Sequence, residues 1–224
     1  MATFSRSGSQ RTGNVDFSLY LITDRHQTAG KPLTDVVRAA LQGGVRAVQL
    51  REKDLNDDEL YALAASLRSL THEYCARLLI NKRLDICQAV GADGVHLGID
   101  GISVIEARRA LGELLLIGYS AHSVAEACSV EVAGADFVTF SPVFHTPSKA
   151  AYGEPVGLDK LREACATLAI PVFALGGIKK DDIAEAMAAG AHGISLISAI
   201  IAAPDPATEA LSLLKTIEQH DTHS

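Results

Sequence analysis

Tryptophan is absent from this chain, and aromatic residues make up only 5% of its 224 positions. A core built on large rings is excluded, so Ala, Val, Leu and Ile are expected to supply the buried area. Cysteine is sparse. Cys75, Cys87, Cys128 and Cys165 stand far apart with no C-x-x-C pair, which excludes a zinc knuckle and a thioredoxin-type motif. Reduced thiols in a cytoplasmic protein are the plain expectation. No window holds the ~18 consecutive apolar residues that a membrane helix needs. Positive charge is short as well: 20 Lys and Arg face 27 Asp and Glu, for a formal net charge of −7. That balance argues against nucleic acid or an anionic membrane as partner. Residues 1–16 carry no apolar stretch, so they do not read as a secretory signal. They are expected to be a disordered leader ahead of a domain spanning 17–220.

What is present is a repeat. Short runs rich in Val, Leu and Ile recur at 18–23, 47–51, 77–81, 94–98, 114–120, 137–142, 171–177 and 193–198. Each is short enough for a strand buried on both faces. Between and after them, apolar residues fall at helical spacing over 33–41, 57–73, 83–90, 104–111, 124–132, 158–167, 181–188 and 208–218. Acidic residues open several of these stretches, as at Asn56-Asp57-Asp58-Glu59, and Ser123-x-x-Glu126 fits a capping box. Glycine closes them at Gly43, Gly91, Gly112, Gly134 and Gly190. The phrase helix–Gly–Ala–strand recurs in VGADGVHL, VAGADFVTF and AAGAHGISL. Eight such units in about 200 residues predict a single (β/α)8 TIM barrel, an α/β fold.

In this architecture function sits where the strands end. The polar residues there are Gln49, Arg51 and Lys53 after the second run, Asn81 and Lys82 after the third, and His96 to Asp100 after the fourth. Ser120 and His122 follow the fifth run, and His145, Thr146, Ser148 and Lys149 the sixth. Arg51, Lys53, Lys82 and Lys149 are expected to converge on one rim of an acidic protein, where they repel one another unless an anion compensates. A phosphate or pyrophosphate ester is the implied ligand. Gly176-Gly177 after the seventh run and Ile197-Ser198 after the eighth fit the phosphate cradle that such barrels build from those two loops.

Together VQLREKD, LLINKR, GADGVHLG, GYSAHS, SPVFHTPSK, GGI and ISAI resemble the thiamine phosphate synthase/TenI family over about residues 20–218. The resemblance implies thiamine biosynthesis and one of two chemistries. A Mg-dependent synthase joins hydroxymethylpyrimidine pyrophosphate to a thiazole phosphate and releases pyrophosphate. A metal-independent TenI-type tautomerase aromatises a carboxythiazole phosphate. By resemblance, Gln49, Arg51 and Lys53 hold the pyrimidine and its pyrophosphate, with Thr146, Ser148 and Lys149 nearby and Asn81 and Ser120 lining the site. Gly176, Gly177, Ile197 and Ser198 hold the thiazole phosphate. Two positions depart from the synthase pattern: Lys82 stands where it has an aspartate after Asn81, and Gly101 stands where it has a second aspartate, leaving Asp100 one residue early. A cation in place of a carboxylate repels Mg²⁺. The tautomerase with no metal, His122 as proton shuttle and Arg51 and Lys53 assisting is therefore the first expectation. The synthase with Mg²⁺, or with Lys82 neutralising pyrophosphate directly, is the alternative, and a non-catalytic thiazole-phosphate-binding regulator a third. His96, His145 and Tyr152 carry no settled role, and the family resemblance leaves a homodimer open.

Overall fold

The computed structural model describes residues 15–145 and 154–220. Eight parallel strands close into a barrel in sequence order. They are β1 (Leu19–Ile22), β2 (Ala47–Leu50), β3 (Arg77–Asn81), β4 (Gly94–Leu97), β5 (Leu116–Ala121), β6 (Phe137–Phe140), β7 (Val172–Leu175) and β8 (Gly193–Leu196). β8 returns to β1 through the pairs Leu19↔Ile194 and Leu21↔Leu196. The helices on the outside are α1 (Leu33–Gln42), α2 (Asp57–Glu73), α3 (Leu84–Val90), α4 (Val104–Leu111), α5 (Val124–Ala133), α6 (Gly157–Thr167), α7 (Ile183–Ala188), α8 (Ser198–Ile201) and α9 (Pro206–His220). The expected (β/α)8 barrel is thus the fold. Among the described residues, one α-helix is additional: α8, a single turn that starts directly after β8. Its Ser-Ala-Ile-Ile sequence reads as a continuation of the strand because β-branched residues favour one.

Helix ends follow their caps. Asn56 and Ser103 each accept from the backbone N–H three residues on, and Glu59 and Glu106 reach back to complete the boxes. The box expected at Ser123 is only half formed. Ser123 accepts from the Glu126 N–H, but the Glu126 carboxylate turns to the His122 N–H at 2.8 Å and to the Tyr119 hydroxyl at 3.0 Å. Asp16, assigned to the leader by sequence, pairs with Arg77 at 3.0 Å, and Val15 packs at the barrel floor.

Two layers of core divide the apolar residues. Between strands and helices, Leu, Val, Ile and Ala pack as expected. Inside the barrel the composition corrects that expectation. Phe17, Tyr20, Phe137 and Phe173 gather there, with Phe17 stacked on Phe173 at 5.2 Å and Tyr20 edge-on to Phe137 at 5.4 Å. A scarce residue class is concentrated where one ring can fill the cylinder.

The repeated Gly-Ala-Asp phrase also has a structural purpose. Asp93, just before β4, accepts from the Leu78 N–H of β3 at 2.8 Å and from Arg68 at 2.7 Å. Asp136, just before β6, accepts from the Ile117 N–H of β5 at 2.7 Å and from Arg108 at 2.5 Å. Each carboxylate ties the start of its own strand to the start of its neighbour, at the end of the barrel opposite the site.

Candidate functional site

Period-two alternation aims Tyr20, Gln49, His96, Ser120 and Thr139 into the barrel. They form one buried polar chain. Gln49 Nε2 donates to the Tyr20 hydroxyl at 3.1 Å, and that hydroxyl lies 3.3 Å from His96 Nδ1. His96 Nε2 is 3.0 Å from Ser120 Oγ, and Thr139 Oγ1 donates to the same oxygen at 3.3 Å. Since Tyr20 already accepts from Gln49, its own proton points to Nδ1, and His96 donates from Nε2. Gln49 and Ser120, expected as substrate ligands, are therefore engaged in this chain, and Gln49 is only 1% exposed.

Burial, with the nearby Arg51 charge adding, pushes the His96 imidazole down to about 3. The ring is neutral at pH 7, so it adds no charge to the site. An unfolded histidine titrates near ~6.5. Between these values the unfolded state binds the extra proton, so stability falls as pH drops below ~6.5. Melting temperature followed from pH 7 to pH 4.5 is expected to decline less steeply in His96→Gln than in the wild type. Parallel curves would refute this.

The segment Arg51-Glu52-Lys53-Asp54 sorts its charges by side. Glu52 is buried and accepts the Arg25 N–H on both carboxylate oxygens, at 3.2 and 3.1 Å. Asp54 pairs with the Arg25 guanidinium through two bonds of 2.6 and 2.7 Å, which hold its carboxyl well below the usual range. Both acids are thus occupied by Arg25. Arg51, anchored by its N–H on Thr23 Oγ1 at 3.0 Å, and Lys53 are left facing the end of β3. The Arg51 charge, then burial, then the Lys82 charge push the Lys53 ammonium below its ordinary value, with Asp100 opposing. Among the described residues neither Arg51 nor Lys53 forms an ion pair.

Asn81 closes β3, and Lys82 follows in the left-handed region at φ 63° with its N–H on the His96 carbonyl at 3.0 Å. Its ammonium stands 3.5 Å from Asp100 Oδ2. A Cβ added at Gly101 would lie 4.0 Å from Lys82 Cδ, so the two departures from the synthase pattern are spatial neighbours. These residues do not fit a Mg²⁺ site: a lysine occupies one ligand position, no side chain the other, and the remaining carboxylate faces the lysine. Among the described residues there is no group of three or more His, Cys, Asp or Glu that could hold a metal.

His122 follows β5. Its Nδ1 lies 2.7 Å from the Ser141 carbonyl, which can only accept, so Nδ1 carries a proton. Gly176 and Gly177 have φ of 95° and 70°. A Cβ at Gly177 would meet the Phe144 carbonyl oxygen at 2.6 Å and that of His145 at 2.5 Å. The pair therefore docks the segment after β6, beyond any part in holding phosphate. Ile197 is the N-cap of α8, and Ser198 is its first residue. Leading N–H groups of a helix have no partner within it. His145 is exposed. Thr146, Ser148, Lys149 and Tyr152 lie outside the described residues.

A cavity of about 480 Å³ opens beside the β1–α1 segment, lined by Arg25, His26, Lys31 and Leu63 among others. Its lining includes none of the cations Arg51, Lys53 and Lys82. Sequence reasoning missed Tyr20, Thr139 and Glu52. The first two were accessible by counting inward-facing positions in steps of two, whereas nothing local marks Glu52 as buried.

The family model described as thiamine monophosphate synthase matches residues 19–200. A Geobacter sulfurreducens protein, provisionally named a thiamine-phosphate synthase, is 60% identical over 200 residues, 89% of this chain and 94% of its own. The thiamine-phosphate synthase of Clostridium novyi is 43% identical over 188 residues, 84% of this chain and 92% of its own. The solved thiamine phosphate pyrophosphorylase of Pyrococcus furiosus matches with a TM-score of 0.84 at 38% identity, covering 91% of this chain and 96% of its own. A hexulose-phosphate synthase barrel from Salmonella typhimurium, at 20% identity and TM-score 0.64, is alike in fold alone. On this coverage and identity the chain belongs to the thiamine monophosphate synthase family.

Proposed function

We propose that this chain is a thiamine-phosphate synthase, which condenses hydroxymethylpyrimidine pyrophosphate with a thiazole phosphate. This reverses the order of the two readings drawn from sequence. The observation that carries it is the group Arg51, Lys53 and Lys82 at the ends of β2 and β3, with the neighbouring acids Glu52 and Asp54 drawn off by Arg25. A tautomerase substrate has one phosphate, for which the β7 and β8 loops suffice. Three further cations suit a second, more highly charged anion. The synthase names of the relatives support the same reading.

The chemistry needs charge balance more than proton transfer. The thiazole nitrogen lone pair forms a bond to the pyrimidine methylene carbon. The bond from that carbon to the pyrophosphate oxygen breaks, and its electron pair leaves with pyrophosphate. No proton moves in this exchange. Cations that stabilise the departing oxygen lower the barrier. The cradle of Gly176, Gly177, Ile197 and Ser198 orients the thiazole phosphate, and Asn81 at the end of β3 lines the pyrimidine side.

Purified protein incubated with both phosphates is expected to form thiamine phosphate, and no product under any ionic condition would end the proposal. His122 separates the two readings, since an imidazole just past the end of β5 suits a proton shuttle. His122→Ala is expected to reduce condensation by less than about tenfold. A shuttle in a tautomerase would lose roughly 10²–10⁴-fold. Aromatisation of the carboxythiazole by the wild type, abolished in His122→Ala, would favour the tautomerase instead.

A further inference from the structure

We infer that the Lys82 ammonium, steadied by Asp100, takes the place of a divalent cation, so that this chain binds pyrophosphate without Mg²⁺. The inference rests on the synthase reading and concerns how its leaving group is held.

Three observations converge. First, Lys82 occupies a left-handed backbone conformation, where asparagine or aspartate sits with less strain than lysine. Its N–H on the His96 carbonyl holds it there, and a side chain kept in a sparsely populated backbone region is often part of a functional site. Second, its ammonium lies 3.5 Å from Asp100, and its stem runs past Gly101. Both places where a magnesium-binding pair of carboxylates is expected are thus accounted for, one by a cation and one by empty space beside that cation. Third, Lys82 shares its field with Lys53 and Arg51, and Asp100 is too little acid to neutralise all three. Pyrophosphate supplies the missing negative charge.

The local charge sums agree. Two carboxylates with a dication come to zero, and so do one carboxylate and one ammonium. Exchanging the first set for the second keeps the electrostatic background of the site while leaving a cation to face the phosphate oxygens. An ammonium makes three hydrogen bonds to anionic oxygens and needs no coordination shell.

The test is calorimetric titration of the full chain with inorganic pyrophosphate, in EDTA and in excess Mg²⁺. Wild-type affinity is expected to be the same within about threefold in the two conditions. Lys82→Met, which keeps the stem, is expected to weaken binding in EDTA by at least about tenfold. Lys82→Asp, a residue that suits the backbone angle, is expected to bind only when Mg²⁺ is added. Wild-type binding that requires Mg²⁺, or undiminished binding by Lys82→Met in EDTA, overturns the inference. A parallel condensation assay separates the two layers. Thiamine phosphate formed only with Mg²⁺ sinks the lysine substitution and leaves the synthase. Lys82-dependent pyrophosphate binding in EDTA with no condensation under any condition sinks the synthase and leaves the anion site.

Discussion

Arg51→Ala is expected to lower kcat/KM for condensation by about 10²–10³-fold, the loss typical of removing one donor aimed at developing negative charge. Arg51 sits at the end of β2, its backbone fixed by Thr23, and among the described residues no acid neutralises it. Its charge is the largest influence lowering the Lys53 pKa and also acts on His96 inside the barrel. A unit charge near ~4 Å from an anion is worth about 4 kcal/mol at a surface-like dielectric. Lys53 and Lys82 recover part of that, since both remain when Arg51 is gone. The loss should appear in kcat and in the KM for the pyrophosphate substrate, with the KM for thiazole phosphate nearly unchanged. Arg51→Lys should recover only part of it, because a point charge lacks the planar fork that grips two oxygens. A loss below about threefold in Arg51→Ala would place the leaving group elsewhere.

The barrel was legible because its signal repeats. Eight apolar runs separated by capped amphipathic stretches leave few other folds, and an error of one or two residues at any boundary changes nothing. The site was legible in part, for a reason of direction. Sequence lists which residues follow a strand but not which way they point. Arg51, Lys53, Asn81, Lys82 and His122 were candidates because they lie just at or past strand ends. Gln49 and Ser120 were candidates too, yet their hydrogen-bond partners Tyr20 and Thr139 were not, since a network spanning several strands has no local signature. Glu52 and Asp54 would have obscured the cation group had Arg25 not drawn both away, and that contact spans more than 25 residues. The tautomerase preference came from weighing the lost magnesium ligands above the cations that remained. Lys82 belongs to both lists, which is why the same two substitutions support opposite readings.

Asp136→Ala is expected to destabilise the fold by about 3–5 kcal/mol, the usual result of breaking a buried ion pair from one side. The Arg108 side chain is 10% exposed and that of Asp136 is 3%. Removing the carboxylate leaves the guanidinium on the Gly112, Leu115 and Gly134 carbonyls without a countercharge. It also takes the acceptor from the Ile117 N–H at the start of β5. Asp136→Asn keeps an acceptor for that N–H and loses only the charge, so its effect should be smaller. Asp93→Ala removes the equivalent tie between β4 and β3, but that pair is more exposed, at 26% for Arg68 and 17% for Asp93, and water can replace more of it. The expected order of melting temperatures is therefore wild type, Asp93→Ala, Asp136→Ala, with the last lower by on the order of 10 °C. Because both aspartates lie at the closed end of the barrel, turnover per folded molecule should be unchanged at low temperature. A melting temperature for Asp136→Ala within 2 °C of wild type would mean that the repeated Gly-Ala-Asp phrase serves only close packing, and that the strands find their neighbours without it.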